Sequence, residues 1–255
     1  MTYKYLFLYI PVIFSLSTGL KSAEKPVDED PPFLILSEDH WVKEKLESMT
    51  LDEKIAQLMM ITIYPRQTDA DKDRTIRLIK NYNPGGILVM QGSPVKTATW
   101  VNQFQENSKI PLLVAIDGEW GLSMRIDSTI QYPYAQALGA VQDSTYLIQM
   151  GRDMAKQMKL AGIHMNFAPV ADVSTNPQNP VINFRAFGED KINVSQKAWY
   201  IASGMQNEWV IPVAKHFPGH GDTETDSHLE LPLIKHPKER IDAVESFPFR
   251  YLAQK

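Results

Sequence analysis

The densest cluster of chemically reactive side chains lies in the segment KHFPGHGDTETDSH, residues 215–228, which holds half of the six histidines. Asp226 and His228 stand two residues apart, so in an extended segment their side chains point to the same side. The carboxylate can then orient one imidazole nitrogen while the other faces a substrate. A histidine with a pKa of about 6.5 can donate and recover a proton at neutral pH. The spacing favours a proton-transfer dyad, and a solvated polar loop is the alternative.

Two histidines of this segment also have a spacing that occurs in metal-binding sites. His216 and His220 are four positions apart, which on a helix presents two ligands together. Pro218 and Gly219 break any helix here and no third ligand has a fixed place, so a metal-dependent hydrolase is the weaker alternative. We expect His220 to shape the loop through hydrogen bonds, and we predict neither a metal nor a cofactor.

Lys215 and His216 follow the apolar, strand-like run IPVA. A lysine at the end of a buried strand loses its hydration unless a polar ligand meets it. The position therefore favours contacts with substrate hydroxyl groups. A lysine whose ammonium group extends into solvent is the alternative.

Further candidate binding residues follow other apolar runs. Asp117 closes the run PLLVAID, where its carboxylate can accept two hydroxyl hydrogen bonds. The guanidinium groups of Arg125 and Arg185 are fork-shaped donors that suit hydroxyl or carbonyl oxygens. Trp120 offers an apolar face to a pyranose ring. For Arg185, an ion pair with Glu189 is the structural alternative.

The elements that must position these residues alternate between apolar runs and helical stretches. The apolar runs are residues 58–64, 85–91, 111–119, 164–173 and 211–219. Strands that are apolar on both faces and separated by helices indicate parallel βα units, in an open doubly wound sheet or in a (β/α)8 TIM-type barrel. The polar residues follow the carboxyl ends of the strands, and the loops there converge on one mouth in a barrel, so we favour the barrel. No GxGxxG or GxxxxGK[ST] motif follows a strand, which argues against nucleotide binding.

The number of strands predicts an incomplete barrel. About five of its eight strands can be placed in the sequence, and a complete barrel takes roughly 250 residues. We expect this α/β domain to occupy residues 36–255, and to be poorly stable and nearly inactive on its own. It follows a predicted signal peptide at residues 1–23 and an acidic, proline-rich linker at residues 24–35.

Composition and charge limit the possible binding partners and the cellular compartment of the protein. A net charge of −4 without a basic block argues against nucleic acid, and we expect no stable membrane insertion after signal removal. An uncleaved membrane anchor is the alternative. The sequence contains no cysteine, so it offers neither disulfides nor a thiolate nucleophile. An exported chain of this kind suits the periplasm or cell envelope of a Gram-negative bacterium.

Five segments of the sequence resemble glycoside hydrolase family 3 enzymes, in the β-N-acetylglucosaminidase branch that includes the peptidoglycan-recycling type. The segments are KHFPGHG (215–221), DSH (226–228), DGEWGLSMR (117–125), NFAPVADV (166–173) and FRAFGED (184–190), and the resemblance spans about residues 41–251. The combination of KHFPGHG with DSH is highly specific, because members without glucosaminidase activity generally lack the second element.

The resemblance implies roles for the matching positions. Sugar binding is implied for Asp117, Arg125, Arg185, Lys215 and His216. His228 is implied as the mobile acid/base, with Asp226 as its partner. The implied reaction is retaining hydrolysis of terminal β-linked N-acetylglucosamine, in peptidoglycan fragments or related glycans, through a covalent glycosyl-enzyme without metal or cofactor. The implied partner is a carbohydrate, and the full-length protein is expected to have further domains.

Two departures from the family pattern matter for function. Trp120 follows Glu119 where the recycling enzymes commonly have glycine. The identity of the aglycone, the group on the far side of the scissile bond, is therefore left open. The acids after His228 are Glu230 and three in KERIDAVES, residues 238–246, which we expect to be solvated and away from strand ends. The aspartate nucleophile that the family takes from a later strand is therefore missing, and a non-catalytic glycan-binding protein is the rival interpretation.

Overall fold

A computed structural model describes residues 36–224 and 232–255 of the protein. The predicted signal peptide and linker lie outside these ranges. Asp226 and His228 of the predicted dyad lie outside them as well.

Five parallel strands form the sheet within the described ranges. They are β1 (Met60–Ile63), β2 (Gly86–Val89), β3 (Leu113–Ile116), β4 (Met165–Asn166) and β5 (Ile211–Pro212). The strands lie side by side in chain order, and the register places Ile87 of β2 between Ile61 of β1 and Val114 of β3. Each of the five predicted strands is present.

Helices connect the strands and cover the sheet. They are α1 (His40–Ser48), α2 (Leu51–Gln57), α3 (Asp69–Tyr82), α4 (Pro94–Glu106), α5 (Ala135–Gly139), α6 (Ser144–Leu160), α7 (Lys191–Gln206), α8 (Lys238–Ala243) and α9 (Phe247–Leu252), with 3-10 turns at Leu36–Glu38, Leu122–Met124 and Asn183–Arg185. A capping box begins α2, in which Thr50 N donates to Glu53 Oε2 at 2.9 Å and Glu53 N donates to Thr50 Oγ1 at 3.3 Å. In the part of the chain that the structure describes, no helix has the length and apolarity to span a membrane.

The strand order decides between the two predicted architectures. A doubly wound sheet reverses its order at a switch point, as in the order 2-1-3-4-5. Here each strand pairs with the next strand in the chain, and every crossover between neighbours contains at least one helix. This winding is that of a β/α barrel. The prediction of a TIM-type barrel that is partial in this chain is confirmed.

The hydrophobic core lies between the sheet and its covering helices. Ile87 of β2 and Val114 of β3 are fully buried and share one cluster with Phe104 of α4 and Met158 of α6. Burial of an apolar side chain of this size contributes about 1.5–3 kcal/mol. The strands that end at the candidate site are therefore firmly supported.

The last two strands are shorter than their apolar runs predict. Regular pairing of β4 with β5 ends at Asn166, because Ala168 N donates to Asn166 O at 2.8 Å in its own segment and not to β5. Pairing resumes at a bridge between Val170 and Lys215, where Lys215 N donates to Pro169 O at 3.1 Å and Ala171 N donates to Lys215 O at 2.7 Å. The bridge places Asp172 beside the residues that follow Lys215.

One acid near the end of the chain differs from its prediction. Helix α8 ends at Ala243, and the side chain of Glu245 beyond it is only 1% exposed. Arg240 Nη1 lies 2.7 and 2.9 Å from its two carboxylate oxygens. The expectation that the acids of residues 238–246 are all solvated is therefore wrong for Glu245, whose charge is compensated by an arginine. Glu245 packs against Gly219, which has a φ of 139° and where any β-carbon would lie only 2.6 Å from Glu245 Cβ.

Candidate active site

Loops after three consecutive strands bring the predicted binding residues to one edge of the sheet. Asp117 follows β3, Arg185 ends the 3-10 turn after β4, and Lys215 follows β5. The carboxyl ends of parallel strands share an edge, so side chains as far apart in sequence as Asp117 and Lys215 can meet. The five predicted binding residues belong to one hydrogen-bonded network, in which Glu119 supplies a link that the sequence did not reveal.

Lys215 lies between two carboxylates. Its Nζ is 2.8 Å from Asp117 Oδ1 and 2.8 Å from Glu119 Oε1. The second oxygen of Asp117 accepts a hydrogen bond from Arg125 Nη2 at 3.0 Å. The alternative of a lysine that extends into solvent is wrong, because the Lys215 side chain is 14% exposed. Two cations therefore fix the orientation of the Asp117 carboxylate.

Arg185 is bound to Glu119 through a two-point contact. Its Nε donates to Glu119 Oε2 at 2.9 Å and its Nη2 donates to Glu119 Oε1 at 2.7 Å. A third donor, Nη1, reaches Val181 O at 3.2 Å. The alternative pairing of Arg185 with Glu189 is thus replaced by a pair that spans two loops of the site. Fork-shaped contacts of this kind fix direction as well as distance.

The cations lower the pKa values of both acids. Burial raises the pKa of Asp117, but the charges and hydrogen bonds of Lys215 and Arg125 outweigh it, and the pKa lies below its ordinary value. Burial likewise raises the pKa of Glu119, and the hydrogen bonds of Arg185 with the charge of Lys215 outweigh it. Burial lowers the pKa of the Arg185 guanidinium, and Glu119 raises it above its usual value. Both acids and the Arg185 guanidinium are therefore charged at neutral pH.

These lowered pKa values predict a loss of stability in acid. A carboxyl group whose pKa is lower in the folded state contributes stability above its unfolded pKa, which is about 4, and loses it as the pH falls through the folded value. Below about pH 4 we expect the urea concentration at the midpoint of unfolding to decrease as the pH is lowered. The decrease should be less steep in Glu119→Gln. The exposed Glu106→Gln serves as the matched control and should keep the wild-type slope. Equal slopes in all three proteins would contradict the lowered pKa of Glu119.

Asp172 is a fully buried carboxylate that holds the His216 side chain. Its Oδ2 lies 2.6 Å from His216 Nδ1, and its Oδ1 accepts from His216 N at 3.2 Å. A carboxylate accepts hydrogen bonds, so Nδ1 carries the imidazole hydrogen. His216 Nε2 faces Arg185 Nη2 at 3.3 Å, and a guanidinium only donates, so Nε2 is an acceptor. The contacts therefore select one neutral tautomer of His216.

His220 shapes the loop, as predicted. Its backbone N donates to Asp172 Oδ1 at 2.7 Å, and its backbone O accepts from Asn179 Nδ2 at 2.7 Å. Its ring Nδ1 lies 2.5 Å from Thr223 Oγ1. His216 and His220 thus point their Nδ1 atoms at different partners. Among the described residues no group of three or more histidines and acids is arranged to hold a metal.

A buried amide supports the loop that carries Asp117 and Glu119. The Asn166 side chain accepts from Gly118 N at 2.9 Å and donates to Gly118 O at 3.1 Å. A side chain at Gly118 would approach Asn166 Oδ1 to 3.1 Å and Met158 Cε to 2.9 Å. Sequence reasoning missed this support. An asparagine at the end of a buried strand was the available signal.

The network has two layers. The side chains of the five predicted binding residues are each between 14% and 33% exposed: Asp117, Arg125, Arg185, Lys215 and His216. Glu119 at 6% and Asp172 at 0% lie beneath them and hold them in place. Both acids lie at the ends of apolar runs in the sequence, 111–119 and 164–173, and that position alone assigns them no role. The outer layer presents fixed donors and acceptors to a polar ligand.

The fold and this layered site define a β/α barrel domain with a cluster of polar side chains at the carboxyl ends of its strands. Residues 50–255 match the family model described as Glycosyl hydrolase family 3 N terminal domain. The chain belongs to this family.

Named relatives agree with this assignment. The chain is 33% identical over 185 residues to Beta-hexosaminidase A of Pseudoalteromonas piscicida, which covers 68% of this chain and 31% of that protein. It is 35% identical over 182 residues to Beta-hexosaminidase LpqI of Mycobacterium tuberculosis, which covers 69% and 45%. A solved glycoside hydrolase family 3 β-N-acetylglucosaminidase from a Paenibacillus strain superposes with a TM-score of 0.74 at 33% identity, over 80% of this chain and 40% of that one. The chain spans less than half the length of each of these relatives.

Proposed function

We propose that the protein containing this chain is a β-N-acetylhexosaminidase that removes terminal β-linked N-acetylglucosamine. The observation that carries the proposal is the outer layer of the site, in which three cations, a carboxylate and an imidazole acceptor are held in fixed orientations at one edge of the sheet. A sugar offers hydroxyl groups that both donate and accept, so it matches such a mixed set. The relatives named β-hexosaminidase support the choice of an N-acetylated sugar.

The proposed mechanism is retaining hydrolysis with an acid/base dyad of His228 and Asp226. His228 would protonate the leaving oxygen and then take a proton from the attacking water, while Asp226 orients its ring. A retaining enzyme also needs a nucleophilic carboxylate about 5 Å from its acid/base group. Asp117 and Glu119 are both bonded to cations, so neither suits that role. The relatives are longer than this chain, and we place the nucleophile in that additional length.

Replacement of His228 tests the proposed reaction. In the full-length protein we expect His228→Ala to slow release of p-nitrophenol from p-nitrophenyl N-acetyl-β-glucosaminide by about 10²–10⁴-fold. Binding of N-acetylglucosamine, measured by calorimetry, should stay within about twofold, because the proposed contacts with the sugar come from other residues. His40→Ala in α1 is the matched control, since that side chain is 94% exposed. Undiminished turnover in His228→Ala would remove the dyad from the mechanism.

A non-catalytic glycan-binding protein is the second candidate. It is favoured by one observation, namely that the carboxylates of the described site are committed to ion pairs or to His216. The same experiment separates the candidates, because this one requires wild-type full-length protein to bind N-acetylglucosamine without turnover. Export to the periplasm or cell envelope of a Gram-negative bacterium, with peptidoglycan fragments or related glycans as the source of substrate, is part of our proposal.

A further inference from the structure

A second pair of a histidine and a carboxylate lies close to the proposed dyad in the sequence. His236 Nε2 is 2.5 Å from Asp222 Oδ2, and the two side chains are 35% and 22% exposed. A carboxylate only accepts hydrogen bonds, so Nε2 carries a hydrogen in either charge state of the ring. Both partners are partly shielded from solvent, so this contact is held more firmly than a pair on the open surface.

The loop after β4 fixes the position of Asp222. Its Oδ1 accepts a hydrogen bond from Thr175 Oγ1 at 3.0 Å, and its backbone O accepts one from Asn176 Nδ2 at 3.4 Å. One residue earlier, Gly221 O accepts from Asn176 N at 3.3 Å. A β-carbon at Gly221 would lie only 1.9 Å from Val173 O, so the two loops approach each other closely. Asp222 is therefore part of a close contact between the loops after β4 and β5.

His236 holds the other end of the stretch that contains the proposed dyad. Its hydrogen bond to Asp222 joins two residues that are 14 positions apart. Asp226 and His228 lie between them in the sequence, in the part outside the described residues. Helix α8 begins two residues after His236, at Lys238. The pair therefore connects the loop after β5 directly with the start of the next helix.

A bond between the two ends of a stretch restricts the residues within it. Bringing the ends of a flexible stretch together costs conformational entropy, and a contact that keeps them together offsets this cost. A general acid must lie about 2.6–3.2 Å from the oxygen that it protonates. A misplacement of about 1 Å can slow a reaction by about 10²-fold. The sugar-binding side chains are held by a separate network, which does not include this bond.

Building on the proposed function, we infer that Asp222 and His236 are positioning residues for His228. They fix the two ends of the stretch that carries this histidine, and they neither bind the sugar nor transfer a proton. Loss of their hydrogen bond should therefore reduce proton transfer to the leaving oxygen and spare sugar binding.

The leaving group of the substrate separates this role from a general loss of structure. p-Nitrophenol is acidic and leaves with little help from a proton donor, whereas an alkyl alcohol must be protonated as it leaves. In the full-length protein we expect His236→Leu to lower kcat/KM for an alkyl N-acetyl-β-glucosaminide about tenfold more than kcat/KM for the p-nitrophenyl compound. Binding of N-acetylglucosamine, measured by calorimetry, should stay within about twofold. Damage to the fold would lower both kcat/KM values by the same factor.

Further variants test whether the hydrogen bond is the cause. His236→Gln keeps an amide hydrogen near the position of Nε2 but cannot act as a general acid, so it should restore most of the lost activity. Asp222→Ala should show the same dependence on the leaving group. The double variant should lose no more than the slower single variant, because both remove one bond. Lys238→Ala is the matched control, since this side chain is 83% exposed two residues after His236 and should leave both kcat/KM values unchanged.

The possible results separate the inference from the function on which it rests. His228→Ala should show the same dependence on the leaving group, because it removes the proposed acid itself. If it does so while His236→Leu matches Lys238→Ala, or lowers kcat/KM equally for both substrates, the inference is overturned and the proposed function stands. Equal losses in His236→Gln and His236→Leu would also overturn the inference. If neither His228→Ala nor His236→Leu depends on the leaving group, both the proposed dyad and the inference are wrong.

Discussion

Replacement of Lys215 by methionine is expected to produce the largest loss of stability and of sugar binding at this site. Lys215 Nζ lies 2.8 Å from both Asp117 and Glu119, and its side chain is 14% exposed. Methionine has a similar length without the charge, so two partly buried carboxylates lose a shared cation. Removing one partner of a buried ion pair costs about 3–5 kcal/mol, and partial exposure of Asp117 reduces this to about 2–4 kcal/mol. Urea unfolding at pH 7 measures the difference.

The Lys159–Glu208 pair provides the matched comparison for this result. Lys159 Nζ lies 3.4 Å from Glu208 Oε2, and the Lys159 side chain is 45% exposed. Solvent screens such a pair, so Lys159→Met should change the free energy of unfolding by less than about 1 kcal/mol. The same loss in both variants would show that Lys215 is an ordinary surface lysine. Calorimetry with N-acetylglucosamine should show that only Lys215→Met abolishes binding.

Replacement of Asp172 by asparagine is expected to reverse the hydrogen-bonding sense of His216. The side-chain oxygen of asparagine can still accept hydrogen bonds from the backbone N–H groups of His216 and His220. Its amide NH2 group then faces His216 Nδ1 as a donor. The imidazole hydrogen must move to Nε2, where it faces the donor Nη2 of Arg185. These two nitrogens are 3.3 Å apart in the wild-type structure. Two donors facing each other cannot both be satisfied. We expect sugar affinity to fall about tenfold or more with the barrel still folded.

Nitrogen NMR of the histidine side chains distinguishes this tautomer change from general damage. The wild-type His216 ring should show hydrogen on Nδ1, and the ring in Asp172→Asn should show it on Nε2. Asp172→Glu retains a carboxylate and should restore the Nδ1 tautomer if the longer side chain is accommodated. Retention of the Nδ1 hydrogen in Asp172→Asn, together with full sugar affinity, would refute the positioning role of Asp172.

The fold was predictable because its signal is local. Each strand is an apolar run flanked by helical periodicity, and the capping box at Thr50 depends on residues three positions apart. What could not be predicted depends on distant neighbours. The run at residues 164–173 becomes a two-residue strand because its register with β5, which lies far away in sequence, shifts by one residue between Asn166 and Val170. The burial of Glu245 depends on Gly219, which approaches it only in the folded chain.

The outer layer of the site was predictable for a related reason. Polar residues directly after buried strands of a parallel sheet must gather at one edge, which identified Asp117 and Lys215. The inner layer was not predictable, because Glu119 and Asp172 are equally acidic and equally close to strand ends. Their burial, and the pairing of Glu119 with Arg185 across 66 positions, follow from the folded geometry.

The separation between Asp117 and Lys215 has a consequence for biosynthesis. The two residues are 98 positions apart. At a synthesis rate of about 5–20 residues per second, Lys215 leaves the ribosome about 5–20 s after Asp117. Meanwhile the β3 loop carries two acids without their common counter-ion, next to strands that can already pair in order. The charged cluster therefore cannot form until the segment after β5 has been made, so its assembly depends on how long the early strands persist without it.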